Sequence, residues 1–303
     1  MSRTRNRASP QIAEQQLPVD SPFARSLRRF LRHRVAVVGS LIVLILVLIA
    51  LTAPLLTPYD PVKANLREID SPPNGRHIFG TDQVGRDVLT RVVYGARVSM
   101  SVGIVAVSLT TIIGVIIGGL GGYLGGRTDD LLMRFTELVM MFPTFILMIT
   151  LATVLEPSIF TLMLVIGLFN WPGLARLVRG QVLSLRETEF VTAARTVGAT
   201  DWRIMWVHIF PHVVGPVVVS MTLGTAGAIL AEAGLSYLGL GVQAPVPSWG
   251  GMVSRAANFT ALAIFPWQWL PPGMAITLAV LAINFMGDGL RDALDVRSRH
   301  GGI

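Results

Sequence analysis

The residues of this chain whose types could do chemistry are few and poorly spaced for catalysis. His208 and His212 stand four apart, the spacing that puts two zinc ligands on one helix face, yet Pro211 lies between them and no HExxH glutamate accompanies them. Gly239, Gly241 and Ala244 match a GxGxxA dinucleotide fingerprint, but Pro245 and Pro247 follow where that motif needs a helix to begin. No GxxxxGKS or GxxxxGKT run occurs, so the chain has no phosphate-cradling loop of its own for ATP. Without cysteine there is no disulfide, thiolate nucleophile or Cys-ligated zinc. No serine with a base and no metal triad is evident, so the constellation an intramembrane enzyme needs is missing. Two carboxylates, Glu137 and Glu232, fall inside apolar stretches, where a lone charge is costly and must face protein or water.

The elements that must position these groups are those of a membrane protein. Of 303 residues, 52% are hydrophobic and only 14% charged, with mean hydropathy +0.60, a balance unlike that of a soluble domain of this length. Apolar segments recur at 35–56, 98–120, 135–155, 159–177, 213–236 and 272–288, which predicts an all-α, polytopic fold with six transmembrane helices. The first, Val35 to Leu56, is uncharged and long enough at 1.5 Å per residue to cross about 30 Å of hydrocarbon. It follows a polar tail rich in arginine and reads as an uncleaved span. With the N-terminus inside, 18 of the 25 Arg and Lys residues fall in inner segments, as the positive-inside rule requires. The expected division is a cytoplasmic tail over 1–34, a first span over 35–56, an extracytoplasmic connection over 57–97, a core transmembrane region over 98–288 and a cytoplasmic tail over 289–303. The net charge of +7 comes from 24 arginines and Lys63, scattered rather than gathered with aromatics into a patch, so no nucleic-acid partner is expected.

Gly114, Gly118 and Gly122 recur every four residues and predict a face for close helix packing. "NWPG" at 170–173 marks a bend. Trp249, Trp267 and Trp269 suit either an interfacial aromatic belt or the packing of an outer loop. Glu137 follows Arg134 by three and suits a surface pair. Glu232 is the stronger candidate for a translocation path, against a structural hydrogen bond to a neighbouring span.

Between the fourth and fifth spans, "ETEFVTAARTVGATDWRIMWVHIFP" (187–211) is short, charged and rich in small residues. Glu189 to Val197 has helix-forming residues, with Phe190, Ala193, Ala194 and Val197 grouped as one shallow apolar face. Gly198 ends or bends that helix, and Trp202, Met205 and Trp206 begin a second apolar face that stops before Pro211. Two short helices joined at a glycine form a knob for another protein's groove, with Arg195, Glu187 and Glu189 at its rim.

"TAARTVGA…HIFP" closely resembles the EAA loop of ATP-binding-cassette importer permeases, with Ala193, Ala194, Gly198, Ala199, Ile209 and Pro211 in place and Thr192 where the family has glutamate. "FGTDQVGRDVLTRVVYGARVSM" (79–100), "LSYLGLGVQAPVPSWGGMVS" (235–254) and "NFMGDGLRDALDVR" (284–297) are similar to segments of the dipeptide, oligopeptide and nickel importer permeases, second type. The resemblance implies a type I ABC importer permease fold of the MetI-like kind in a bacterial inner membrane. It implies a non-catalytic subunit paired as a heterodimer with a homologous permease and fed by an extracytoplasmic substrate-binding protein. Two cytoplasmic ATPases would carry ATP and Mg, with no cofactor on this chain, and the 187–211 loop would be the coupling element, made up of Glu189, Phe190, Ala193, Ala194, Arg195, Gly198, Ala199, Ile209 and Pro211. A helix over 83–96, capped by Asp82, would rest on the membrane or receive the binding protein. Short peptides are the expected substrate, with nickel chelates, haem, glutathione and opines as alternatives inside the same class; a secondary transporter or channel would need no such loop.

The orientation has a direct test. A cysteine introduced at Asn65 should react with an impermeant maleimide in intact cells and one at Thr200 should not; the reverse pattern would invert the topology.

Overall fold

The computed structural model describes residues 22–294, so residues 1–21, most of the expected N-terminal tail, and 295–303, most of the C-terminal one, lie outside it. Fourteen helical elements follow one another among the described residues, with a single isolated bridge, Thr81 to Asp87, as the only extended pairing. Helix α1 (Pro22–Arg32) precedes α2 (Arg34–Leu56), and after a long connection α3 runs over Val88–Leu124. Then come α4 (Gly126–Met140), α5 (Thr144–Val154), α6 (Ile159–Phe169), α7 (Trp171–Arg186) and α8 (Glu189–Thr196). One turn of α9 (Asp201–Arg203) passes through a π-helical turn (Ile204–Ile209) into α10 (Phe210–Tyr237), followed by α11 (Trp249–Arg255), α12 (Phe259–Ile264) and α13 (Pro266–Leu294).

Among the described residues four helices are long and apolar enough to cross a membrane: α2, α3, the continuous Asp201–Tyr237 run and α13. Counting each of two bent helix pairs as one span brings the number to six, the number expected from the sequence. The α4–α5 pair bends by 80° beside Pro143, where the ring removes a hydrogen bond and pushes its predecessor out of the α region. The α6–α7 pair bends by 41° at Asn170–Trp171, within "NWPG", with Pro172 at the first turn of the new helix.

Helix α3 lies at the centre. Its glycine stripe faces α7 so closely that a Cβ at Gly118 would strike the Ala175 carbonyl oxygen and one at Gly122 would sit 2.9 Å from Val182 Cβ. Gly114 meets Leu174 at 3.0 Å in the same way. Small residues earn their place here because helices in lipid gain by packing rather than by a hydrophobic drive. Val102, Ala106 and Val107 of α3 join Leu162, Val165 and Ile166 of α6 and Ala228 and Leu235 of α10 in one apolar core. A second core joins α2, α3, α11 and α13 through Leu46, Met100, Trp249 and Ala279.

Two expectations for the connection after α2 require correction. The segment read as a separate surface helix over 83–96 is largely the buried beginning of α3 itself, which starts at Val88, inside the expected 57–97 connection. Its cap is Asp87 rather than Asp82: Asp87 Oδ2 accepts from Thr90 N at 2.7 Å, while Asp82 closes the preceding turn by accepting from Val84 and Arg86 N–H groups. The other Asp87 oxygen meets His77 Nδ1 at 2.9 Å, and His77 Nε2 lies 3.2 Å from Glu68. Burial opposes the protonated ring of His77, and these two carboxylates outweigh it, holding its pKa above the ordinary value. The expected last span likewise begins earlier than 272, since α13 starts at Pro266.

The tryptophans pack the outer segments. Trp249 is 1% exposed and donates its indole N–H to Val92 O at 2.9 Å, while Trp267 donates to Thr81 O at 3.3 Å and lies against Gly80.

Glu232 fastens this end of the bundle. It is fully buried on α10, accepting from Ser99 Oγ of α3 at 2.9 Å and from Ser236 Oγ at 2.7 Å. Ser99 Oγ in turn accepts the Trp249 N–H at 3.2 Å, so one carboxylate ties α10 to α3 and to the start of α11. Inside lipid such a satisfied polar cluster specifies one packing arrangement. Glu232→Ala strips two buried hydroxyls of their acceptor and should lower stability by about 1–3 kcal/mol, read as thermal unfolding in detergent. Glu232→Gln keeps an acceptor oxygen and should cost less; an alanine variant as stable as the parent would contradict the clasp.

Candidate functional site

Residues 187–211 sit at the end of α3 remote from that clasp. Helix α7 arrives at Arg186, whose Nη1 donates to the carbonyls of Gly122 and Tyr123, each at 3.2 Å. Those are last-turn carbonyls of α3 without an intrahelical partner, which a cation at a helix C-terminus satisfies. Thr188 leads into α8, which carries Glu189 in its first turn and Arg195 in its last, the charge order that complements the helix dipole.

Gly198 ends the helix at φ +82, with its N–H on Arg195 O at 2.9 Å and Ala199 N–H on Ala194 O at 3.1 Å. A left-handed closing residue is the usual reason for glycine at this position. Thr200 then caps the next helix through Arg203 N at 3.4 Å.

The faces of α8 differ from the grouping expected from sequence. Val191 and Ala194 are buried against Val182, Ile204 and Ile209, and Ala199 packs beside them half-buried. Phe190, Ala193 and Val197 form the exposed strip, at 41% for Phe190 and 84% for Val197, with Glu189 and Arg195 exposed nearby. Ala194 therefore serves the chain's own core, because the 100° step per residue carries it away from Ala193 and round to the side of Val191.

The second half of the loop also departs from expectation. The helix opened by Asp201 does not stop before Pro211 but continues to Tyr237. Over Ile204–Ile209 it widens to a π turn, in which Phe210 N–H reaches back to Met205 O. The extra residue shifts the register just ahead of Pro211, whose missing N–H would otherwise leave a gap in the ladder. Ile209 is fully buried and Pro211 exposed. Trp202, Trp206 and Phe210 line up along the outer side as tilted ring pairs, with centroids 5.4 and 4.9 Å apart.

Two anchors of the loop were not foreseen. Tyr123 Oη donates to Asp201 Oδ1 at 2.6 Å, and Arg186 holds the other end as described. Neither is adjacent to the loop's recognisable residues, although an arginine closing α7 was visible as a helix-end signal. Asp129 and Arg179 add a bidentate pair, both bonds 2.6 Å, between α4 and α7. Glu137 meets Arg176 of α7 at 3.9 Å instead of Arg134.

The structure puts Glu232 far from this loop, enclosed among serines of its own subunit. His212 packs its ring 5.4 Å from Phe190, and no group of three or more His, Asp or Glu residues is arranged to hold a metal among the described residues.

Comparison with known proteins agrees with this architecture. Residues 110–300 match the family of binding-protein-dependent transport system inner membrane components, and residues 21–73 match the N-terminal TM domain of oligopeptide transport permease C. A putative peptide permease protein of Brucella suis biovar 1 is 46% identical over 286 residues, 94% of each chain. The oligopeptide transport system permease protein OppC of Bacillus subtilis is 42% identical over 274 residues, 90% of this chain and 89% of its own. The dipeptide transport system permease protein DppC of Alkalihalophilus pseudofirmus is 42% identical over 286 residues, 94% of this chain and 93% of its own. With the all-α, MetI-like permease fold in place, this chain belongs to the binding-protein-dependent transport system inner membrane components, as a non-catalytic, multi-pass permease subunit of an ABC importer.

Proposed function

We propose that this subunit pairs with a homologous permease to enclose a path for short peptides, and that residues 187–211 couple that path to two cytoplasmic ATPases. ATP and Mg bind on those partners, and an extracytoplasmic binding protein delivers the substrate. Both termini and the loop then face the cytoplasm, as the distribution of basic residues favours. The peptide reading is supported by the relatives, which are described as peptide, oligopeptide and dipeptide permeases.

The coupling role rests on one observation above all. Helix α8 presents a shallow strip of Phe190, Ala193 and Val197 while the helices on either side, α7 and the Asp201–Tyr237 run, continue directly into the bundle. A partner that grips the strip and moves therefore pulls two spans without bending a flexible linker, which is what rigid-body switching needs. The strip is small enough to seat in a closing cleft, and Glu189 and Arg195 supply charges for its rim.

The exposed and buried alanines separate coupling from folding. Ala193→Trp should leave the subunit folded and inserted but abolish uptake, either by loss of ATPase co-purification or by ATP hydrolysis uncoupled from transport. Ala194→Trp should instead overpack the subunit's own core, at about 1–3 kcal/mol, and lower its thermal stability. Parallel assays of uptake, assembly and unfolding decide the matter: wild-type import by the Ala193 variant with ATPases bound normally would remove the loop from the mechanism.

A further inference from the structure

The end of the bundle opposite the loop contains a cavity of about 290 Å³ between the turn at 82–86 and the beginnings of α3 and α13, closed on another side by α11. Half of its polar lining is cationic: Arg86, Arg91 and Arg255 line it together with Asp82, Gln83 and Gln268. Arg86 is 8% exposed and Arg91 only 1%, so these are not solvated surface charges.

One carboxylate pairs with two of the three arginines. Asp82 Oδ2 accepts from Arg86 Nε at 2.8 Å and lies 3.5 Å from Arg91 Nε. Arg91 Nη1 is spent on two carbonyls, Pro61 O at 2.6 Å and Pro245 O at 3.3 Å, which fix the guanidinium in place. Arg255 is held by its position at the end of α11, where its carbonyl accepts from Gln83 Nε2 at 2.8 Å. What remains is Nη2 of Arg91 and Nη2 of Arg255, both buried and both without a hydrogen-bond partner. Buried guanidinium donors left without an acceptor are costly, and a guanidinium edge matches the oxygens of a planar or tetrahedral oxyanion. Other nearby charges do not relieve the surplus: Asp87 is committed to His77 and the cap of α3, and Asp70 to Gln268.

We propose that this cavity binds a small oxyanion of the phosphate class, held by the guanidinium groups of Arg91 and Arg255, which thereby joins α3 to α11. The volume accommodates such a group, since a water molecule in liquid occupies about 30 Å³. The ligand is either inorganic phosphate from the aqueous phase or the headgroup of an anionic lipid; the chemistry of recognition is the same.

The test uses the full-length chain purified with its partner subunits in phosphatidylcholine nanodiscs. Inorganic phosphate, compared with sodium chloride at equal ionic strength, should raise the apparent Tm saturably by about 2–4 °C. Arg255→Gln should abolish that rise, whereas Arg127→Gln, an exposed arginine elsewhere, should preserve it. If phosphatidylglycerol nanodiscs give the same Arg255-dependent rise without phosphate, the headgroup is the ligand; a rise only with added phosphate identifies the free anion. Should Arg255→Gln not fold, Arg255→Lys keeps the charge without the fork and should shift the phosphate curve to higher concentration. No saturable response to either source, or the same response in the Arg255 variants as in the parent, would overturn the proposal.

Discussion

Three glycines let the backbone of α3 lie directly against α7, and the loop end of the subunit follows from that approach. Only at this separation can Arg186 reach the last carbonyls of α3, and only with α3 so placed does Tyr123 reach Asp201 across the base of the loop. Val191, Ala194, Ile204 and Ile209 then fill the space between them as one apolar plug. The knob is thus mounted at both ends and underneath. Its exposed strip can change partners, but its base is continuous with the core of the bundle.

The two ends of the molecule treat polarity differently. At the loop end, charge is paired in the open or half-open, as between Asp129 and Arg179. At the other end, polar groups are carried into the interior and used to fix helices: Glu232 is fully satisfied by serines, whereas Arg91 and Arg255 each keep a donor without an acceptor. The contrast matters because an unsatisfied donor costs far more than a satisfied one contributes. A group that could complete the arginine cluster would act on the same elements, α3 and α11, that the Glu232–Ser99–Trp249 chain already joins.

Much of this was legible in the sequence, for physical reasons. Uninterrupted apolar runs announced the spans, the four-residue glycine spacing announced a close-packing face on α3 without naming α7 as its partner, and "NWPG" announced a bend, found between α6 and α7. Gly198 at the end of a short helix was readable because few other residues close a helix at positive φ. The errors arose where tertiary context decided. Pro211 looked like a stop because proline ends a regular α-helix, and nothing local revealed the π turn that lets the helix pass it. Asp82 looked like a cap because it precedes a helical pattern, but Asp87 was the residue positioned to receive Thr90 N–H. Ala194 looked equivalent to Ala193 because an isolated helix of small residues does not disclose which side a neighbour will cover. The Arg86–Arg91–Arg255 cluster was invisible for another reason, since it joins residues widely separated in the chain.

The central claim is that α8 and the spans flanking it behave as one body. Because the chain has no native cysteine, spin labels at Thr196→Cys on α8 and Leu230→Cys on α10, both exposed, report the distance between the loop helix and a flanking span in the assembled transporter. Pulsed electron–electron distance measurements in nucleotide-free and ATP-bound states should give the same narrow distribution. A change of several ångströms between the states, or a broad distribution in either, would show a loop that flexes independently of the spans and would contradict the account.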